Sequence, residues 1–102
     1  MEIDKEIVNH SKAVIRPKGN IDFSTSNDLK EELISIYEEG YNQIEIDFGK
    51  VKSIDSSGLG KLLLFHKKLK EQNGELLIKN IKSDYIKNMF EMIKLNKVIN
   101  IK

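Results

Sequence analysis

The sequence has no cysteine, and it is poor in the residues that would indicate a disulfide-bonded, membrane-spanning or metal-binding protein. The absence of cysteine excludes disulfide bonds and thiolate-metal sites, and it is compatible with a reducing compartment. His10 and His66 are the two histidines, and no acid at ligand spacing accompanies them, so no metal site is predicted. No apolar run approaches the roughly 18 residues that a membrane-spanning helix needs.

Neither sign of charge is in excess. The 17 basic and 16 acidic residues give a formal net charge of +1, which offers no electrostatic case for binding nucleic acid or a membrane surface. The segment 1–4 has neither a basic region nor an apolar core and so is not typical of a secretory signal. At 102 residues, the chain is expected to form one domain, residues 1–102, in the cytoplasm.

Strand-like and helix-like segments alternate from residue 12 onward. The sequence predicts β-strands at residues 6–8, 12–18, 44–48, 75–79 and 98–101. It predicts a first helix between the possible caps at residues 24–26 and Gly40, a second over 62–70 that ends near Gly74, and a third capped by Ser83 and Asp84. Gly19 and Asn20 are expected to end the second strand, where Pro17 cannot donate to a ladder.

This order of elements predicts an α/β sandwich in which helices pack against a mixed, mostly parallel sheet. The first two strands are close enough in sequence to form an antiparallel hairpin at one edge. In such folds, functional loops lie at the carboxyl ends of the strands. Two loops have this position, at residues 19–22 and from Asp55 onward.

The most informative segment is Asp55-Ser56-Ser57-Gly58-Leu59-Gly60, at a strand-to-helix junction. One interpretation is structural, because aspartate and serine are common amino-terminal caps and glycine permits close packing of a helix on a sheet. Another is functional, because a serine hydroxyl at this junction lies beside unsatisfied backbone N–H groups. A phosphate there would add about −1.5 to −2 charge.

A helical wheel at about 100° per residue divides the second helix into two faces. The predicted core face holds Leu59, Leu62, Leu63, Phe65, His66 and Leu69. The opposite face holds Ser57, Gly60, Lys61, Leu64 and Lys68. We therefore expect Gly60 and Leu64 to form part of a partner-binding surface around Ser57.

An enzymatic role is not predicted. The residues around Ser57 do not form the nucleophile elbow Gly-x-Ser-x-Gly. Of the histidines, His66 falls on the apolar face and His10 falls in an expected turn, so neither is a convincing base. The two glycines of the signature also do not match a phosphate-cradling nucleotide loop, and no cofactor is expected.

The segment 55–60 resembles the signature of the STAS domains of bacterial anti-sigma factor antagonists. Three other segments are similar to family motifs: residues 19–22 to Gly-x-Leu-Asp, residues 74–76 to a turn into a strand, and residues 90–95 to Phe-x-x-x-Gly-Leu. The four segments stand at family-like spacing, and the resemblance covers nearly the whole chain. Two positions depart from the family pattern, since Lys94 stands where the family usually has glycine and Pro17 where it usually has an apolar residue.

The resemblance implies a switch between binding partners. Family members bind an anti-sigma factor that is also a serine kinase, and this frees the sigma factor. The kinase then phosphorylates the serine before the first signature glycine, the pair separates, and a serine phosphatase resets the cycle. By position the acceptor here is Ser57 and not Ser56, and Asp22 matches the acidic residue near the acceptor.

The expected partner-binding residues are Asp22, Asp55, Ser56, Ser57, Gly58, Gly60, Lys61 and Leu64. One alternative stays open at this point. The same fold serves as a protein-interaction module in other assemblies, such as sensory complexes or lipid transport, and there Ser57 would not be phosphorylated.

Overall fold

A five-stranded sheet forms the centre of the molecule in the computed structural model, which describes residues 1–102. The strands are β1 Ile3–Ile7, β2 Lys12–Pro17, β3 Gly19–Ile21, β4 Gln43–Asp47, β5 Val51–Ile54, β6 Glu75–Lys79 and β7 Asn100–Ile101. The helices are α1 Ser26–Glu38, α2 Ser56–Glu71 and α3 Asp84–Met92, followed by a 3₁₀ turn at Leu95–Lys97. None of the helices has the length and apolar character that crossing a membrane requires.

The central sheet has the spatial order β1-β2-β4-β6-β7. Strands β1 and β2 pair antiparallel, as the short connection between them predicts, and the remaining neighbours pair parallel. In the register, Ile15 lies opposite Ile46, and Ile46 lies opposite Ile78. Because side chains alternate between faces, these apolar rows line one face of the sheet. The predicted mixed, mostly parallel sheet is therefore confirmed.

Helices α1, α2 and α3 bury their apolar stripes in one core with this face of the sheet. The helical members of the core are Leu29, Leu33, Ile36, Leu62, Phe65, Leu69, Ile86 and Phe90. Phe90 contacts Phe48 after β4, with ring centroids 6.0 Å apart. Tyr37 of α1 meets Phe65 of α2 edge-on at 6.1 Å, so aromatic contacts join the helices to each other and to the sheet.

The opposite face of the sheet carries charged side chains, and we call it the helix-free face. Glu45 is its buried centre and pairs with Lys12 at 2.7 Å and with Lys79 at 2.7 Å. Arg16 pairs with Glu6 at 2.9 Å. The alternation of Ile44 and Ile46 with Glu45 thus separates an apolar face from a paired, charged one.

A second sheet holds only β3 and β5, which run parallel. The sequence predicted neither strand: Gly19 and Asn20 were expected to break the run, and β5 was not recognised. Gly19 has φ of +93°, and the chain therefore turns at this residue and continues into a new strand. Ile21 and Ile54 end the two strands side by side, which brings the loops that follow them together.

The predicted core face of the second helix is wrong at Leu63, which is 40% exposed; Ile93, after the third helix, is 51% exposed. The buried residues of α2 recur at 58, 62, 65 and 69, a stripe narrower than the predicted face, and Leu63 lies beyond its edge. Ile93 follows the last residue of α3, where the chain leaves the helix. Lys94 then adopts a left-handed conformation with φ of 57°, the conformation that the usual glycine would favour.

Candidate functional site

The site is built where β3 and β5 end. The backbone N–H of Asp55 donates to the carbonyl of Ile21 at 3.0 Å, so the loop after β5 is bonded to the end of β3. Asp22 is the next residue after Ile21. The structure thus brings together the two loops that the sequence singled out, through backbone pairing of the strands that precede them.

The Asp22 loop is held by the carboxylate of Asp22. Its Oδ1 accepts hydrogen bonds from the Ser24 N–H at 2.9 Å, the Ser24 hydroxyl at 2.7 Å and the Thr25 N–H at 3.2 Å. These bonds, those from Ser24 first, lower the pKa of Asp22 below its usual range. Asp22 is therefore charged, and it orders its own turn with one carboxylate oxygen.

Thr25 is the residue that precedes α1, but its side chain does not cap that helix. Its hydroxyl donates to the Asn20 carbonyl at 2.8 Å and accepts from the Asp22 N–H at 2.8 Å. The hydroxyl instead binds the end of β3 to the turn. Of the three residues expected as caps, Thr25 thus stabilises the loop beside the site.

Helix α2 begins at Ser56 and not at Leu62, so most of the signature segment lies inside the helix. Asp55 is its N-cap, and the Asp55 carboxylate accepts from the Gly58 N–H at 3.1 Å. This bond satisfies one of the N–H groups that a helix start leaves free. The structural interpretation of Asp55 as a cap is confirmed.

The two signature glycines have different surroundings. A Cβ on Gly58 would lie 2.6 Å from Ile21 Cγ2 and 2.7 Å from Ile54 Cγ1. Gly58 is therefore needed for close packing of α2 on the β3–β5 pair. A Cβ on Gly60 would meet nothing within 4 Å, and Gly60 is exposed. Packing within the chain explains the first glycine and does not explain the second.

The hydroxyl of Ser57 is available at the surface. Ser57 is partly exposed in the first turn of α2, and its hydroxyl makes no hydrogen bond to another side chain or to the backbone. Ser56 is exposed beside it. Further along the same side of the helix, Lys61 is partly exposed and Leu64 is 60% exposed, as the helical wheel predicts.

Phe23 is a candidate contact residue that the sequence motifs do not predict. Its side chain is 84% exposed in the turn that Asp22 orders, at the same end of the molecule as Ser57. The available signal was an aromatic residue between two turn-forming polar residues, Asp22 and Ser24. Because aromatic side chains are enriched at the centres of protein interfaces, Phe23 extends the set of candidate contact residues.

No histidine lies close to Ser57 along the helix. His66 follows nine residues later, about 13 Å along the helix axis. Its Nδ1 is buried without a hydrogen-bond partner, and burial, with a smaller contribution from the charge of Lys70, lowers the pKa of His66. The imidazole is therefore neutral at pH 7 and packs as part of the helix's inner side.

Two bacterial relatives are similar to this chain in sequence. The anti-sigma-B factor antagonist of Bacillus subtilis is 29% identical over 93 residues, which cover 91% of this chain and 84% of that protein. A protein of Bordetella bronchiseptica named as a candidate anti-sigma factor antagonist, BtrV, is 28% identical over 75 residues. That match covers 74% of this chain and spans 64% of the relative's own length.

A solved structure and a family model agree with the architecture. The Bacillus cell fate determinant SpoIIAA, in its phosphorylated form, matches with a TM-score of 0.76 at 22% identity, over 99% of this chain and 91% of that chain. At this identity the likeness establishes the fold. The model of the STAS domain matches residues 2–102. With the signature segment at the start of α2 and this match over nearly its full length, the chain belongs to the STAS domain family.

Proposed function

We propose that this chain is an anti-sigma factor antagonist controlled by phosphorylation of Ser57. In its unphosphorylated form it binds an anti-sigma factor that is also a serine kinase, and the sigma factor is released. Phosphorylation of Ser57 by that kinase ends the interaction, and a serine phosphatase restores it. The observation that carries the proposal is the position of the Ser57 hydroxyl, partly exposed and without a partner in the first turn of α2.

The surroundings of Ser57 favour a phosphate without a change of fold. At the amino terminus of a helix, free N–H groups and the helix dipole both favour an anion. The Asp55 carboxylate already occupies the N–H of Gly58, and it would repel a phosphate that came close to it. The modified side chain is therefore expected to extend outward, toward the surface where a partner binds.

The proposed contact surface consists of the loop of Asp22 and one side of α2. Its members are Asp22, Asp55, Ser56, Ser57, Gly58, Gly60, Lys61 and Leu64. Gly58 contributes by packing α2 against Ile21 and Ile54, whereas Gly60 leaves room for a partner's atoms. A dianion in the middle of this surface would weaken binding by charge and by size.

A binding role is proposed in preference to catalysis. Ser57 lacks an adjacent histidine base, since His66 lies more than two turns away along α2, and the Asp55 carboxylate is engaged by the Gly58 N–H. A serine nucleophile needs such a base within hydrogen-bond reach. The hydroxyl is thus proposed as the substrate of another protein's kinase activity.

The decisive experiment is phosphorylation by the cognate kinase with ATP, followed by mass spectrometric mapping. We expect one phosphate on Ser57. Ser57→Ala should abolish phosphorylation and keep kinase binding, and Ser57→Asp should impair kinase binding. Ser56→Ala is the matched control and should be phosphorylated normally.

Two results would contradict the proposal. Phosphate on Ser56 alone would show that the acceptor was assigned to the wrong serine. A chain that binds its partners but is never phosphorylated would instead indicate an interaction module of another assembly, such as a sensory complex or a lipid-transport system.

A further inference from the structure

A groove lies between α1 and α2, on the side of α2 that carries Leu64. It encloses about 250 Å³, and its apolar floor is formed by Ile34, Leu64 and Phe65. Phe65 is held in place by its edge-on contact with Tyr37, at a centroid separation of 6.1 Å. Leu64 is 60% exposed. Leu64 is thus the open part of the floor, beside the partly exposed Ile34 and above the buried Phe65.

The rim of the groove is strongly positive. Four lysines line it, Lys30, Lys61, Lys67 and Lys68, against a single acid, Glu71. None of these lysines takes part in an ion pair, whereas four other lysines do: Lys5, Lys12, Lys18 and Lys79. In a chain of net charge +1, this is a local excess of positive charge, in which the Lys68 ammonium lies 5.6 Å from the centre of the Tyr37 ring.

The distribution of these lysines indicates the shape of the occupant. Lys61 and Lys68 are seven residues apart on α2, about 10 Å along the helix axis. A partner with acidic groups spread along its length would pair with the lysines at both ends of that distance at once. An amphipathic helix places an apolar row between acidic side chains along its whole length, and it fits a groove between two helices. Such a helix would match both the floor and the rim.

We propose that this groove binds an acidic amphipathic helix of the protein partner. This inference rests on the proposed function, which identifies the partner as the anti-sigma factor kinase. Lys61 lies one turn after Ser57, so the groove is continuous with the surface around the phosphorylation site. Phosphate on Ser57 would place negative charge at the end of the groove and repel the acidic helix, which joins docking to the switch.

The selectivity of the groove can be tested without the kinase. The isotope-labelled protein is titrated, in NMR experiments, with a short helix-forming peptide that carries leucine at i, i+3, i+4 and i+7 and glutamate between. A second peptide replaces every glutamate by lysine, and dodecanoate serves as a small anionic amphiphile. We expect the acidic peptide to shift the amides of Ile34, Lys61 and Leu64, and the basic peptide to shift none of them.

Charge reversal on the rim provides the variants. Lys61→Glu and Lys68→Glu should each weaken binding of the acidic peptide by about tenfold or more. Lys87→Glu, an equal change of charge at an exposed position of α3, should leave binding within about twofold. A thermal unfolding curve of each variant shows whether it is folded.

The following results would overturn the proposal that the groove binds an acidic helix. Equal binding of both peptides, or an equal effect of Lys87→Glu, would show non-specific association. Saturable binding of dodecanoate in the groove, without binding of the acidic peptide, would identify a site for a small amphiphile. Ser57→Ala separates the two proposals, because it should abolish phosphorylation and leave peptide binding unchanged. Phosphorylation that persists in this variant contradicts only the proposed function, and loss of peptide binding contradicts only the groove proposal.

Discussion

Gly58 and Gly60 stand two residues apart in the same helical turn, but the space around them differs. A Cβ on Gly58 would approach the side chains of Ile21 and Ile54 to 2.6 and 2.7 Å, and a Cβ on Gly60 would meet nothing within 4 Å. The signature thus combines a glycine that the fold needs with one that it does not need. This difference makes the two positions a matched pair for mutagenesis.

We expect Gly58→Ala to lower the free energy of unfolding by about 1–3 kcal/mol, because overpacking forces neighbouring side chains to shift. Gly60→Ala should raise it by up to about 1 kcal/mol, because alanine has the higher helix propensity. Urea denaturation measures both. If Gly60→Ala raises stability and weakens kinase binding, the second glycine serves the interface; equal destabilisation by both changes would contradict this division of roles.

Lys94 shows how a departure from the family pattern is accommodated. Its φ of 57° is unfavourable for a residue with a Cβ. Lys94→Gly should therefore raise the free energy of unfolding by about 1 kcal/mol. Lys97→Gly, in the 3₁₀ turn that follows, has no such strain to relieve and should lower it by about 0.5–1 kcal/mol. Chemical denaturation of both variants tests the expectation, which fails if Lys94→Gly is the less stable one.

Leu64 is exposed where the other apolar positions of α2 are mostly covered. Leu64→Asn should change the free energy of unfolding by less than about 0.5 kcal/mol, as for other surface changes, and should weaken kinase binding by about tenfold or more. The matched change Leu62→Asn, at a fully buried neighbour, should cost several kcal/mol. Calorimetric binding and thermal unfolding distinguish these effects. Comparable loss of stability in both variants would place Leu64 in the core.

At the scale of whole elements, strand β4 places apolar side chains on one face of the sheet and charged side chains on the other. Glu45 lies in the middle of β4, buried between Lys12 and Lys79, and both lysines contact it at 2.7 Å. Burial raises the pKa of this carboxyl, but the two lysines outweigh burial and lower the pKa below its ordinary value of 4.5. The stabilisation is therefore complete above the pKa of the unfolded chain and is lost as pH falls through the lower pKa of the folded state.

Glu45→Gln should accordingly lower the free energy of unfolding at pH 7 by about 1–2 kcal/mol. The difference from the wild type should shrink as the pH falls below about 4. Glu31→Gln, at an exposed position of α1 without an ion pair, is the control and should have little effect at either pH. Urea denaturation across this pH range measures the difference, and a difference independent of pH would contradict the ion-pair explanation.

Elements with a strong local signal were predicted well from the sequence. Strand β6 begins and ends at the predicted residues, as an apolar run after Asn73 and Gly74, and Ser83 caps α3 as expected, with its hydroxyl accepting from the Ile86 N–H at 3.2 Å. Strands β3 and β5 were missed, because each has only three or four residues and is defined by its partner. The predicted start of helix α2 was too late. Glycine and serine have low helix propensity, so the sequence does not indicate the first turns, which the Asp55 cap and packing stabilise.

The candidate site, too, was predictable only where the sequence carries a local signal. Ser57, Lys61 and Leu64 could be placed on one side of α2 from the helical period alone. The backbone bond between Asp55 and Ile21 joins residues far apart in sequence, and no local pattern encodes it. The solvent exposure of Phe23 likewise depends on which surfaces tertiary packing leaves free.

At the scale of the whole molecule, the proposed switch requires the fold to remain the same in both states. The site stands on the ends of β3 and β5, which the backbone holds together, and α2 is fixed by the packing of Gly58. Phosphorylated and unphosphorylated protein should therefore have the same circular dichroism spectrum. Amide shift changes should be confined to residues 19–25 and 55–64, as measured by NMR. Shifts across β6 or α3 would indicate a conformational mechanism in place of a surface one.

The helix-free face also has a practical consequence. It lies on the reverse of the sheet from α2, and Gln43 on β4 is exposed there without a role in its ion pairs. The chain has no native cysteine, so a single thiol introduced at position 43 would be the only point at which a thiol-reactive fluorophore or sensor chip attaches. A protein tethered in this way would present Ser57 outward, and kinase capture and release could be followed in real time on one immobilised sample.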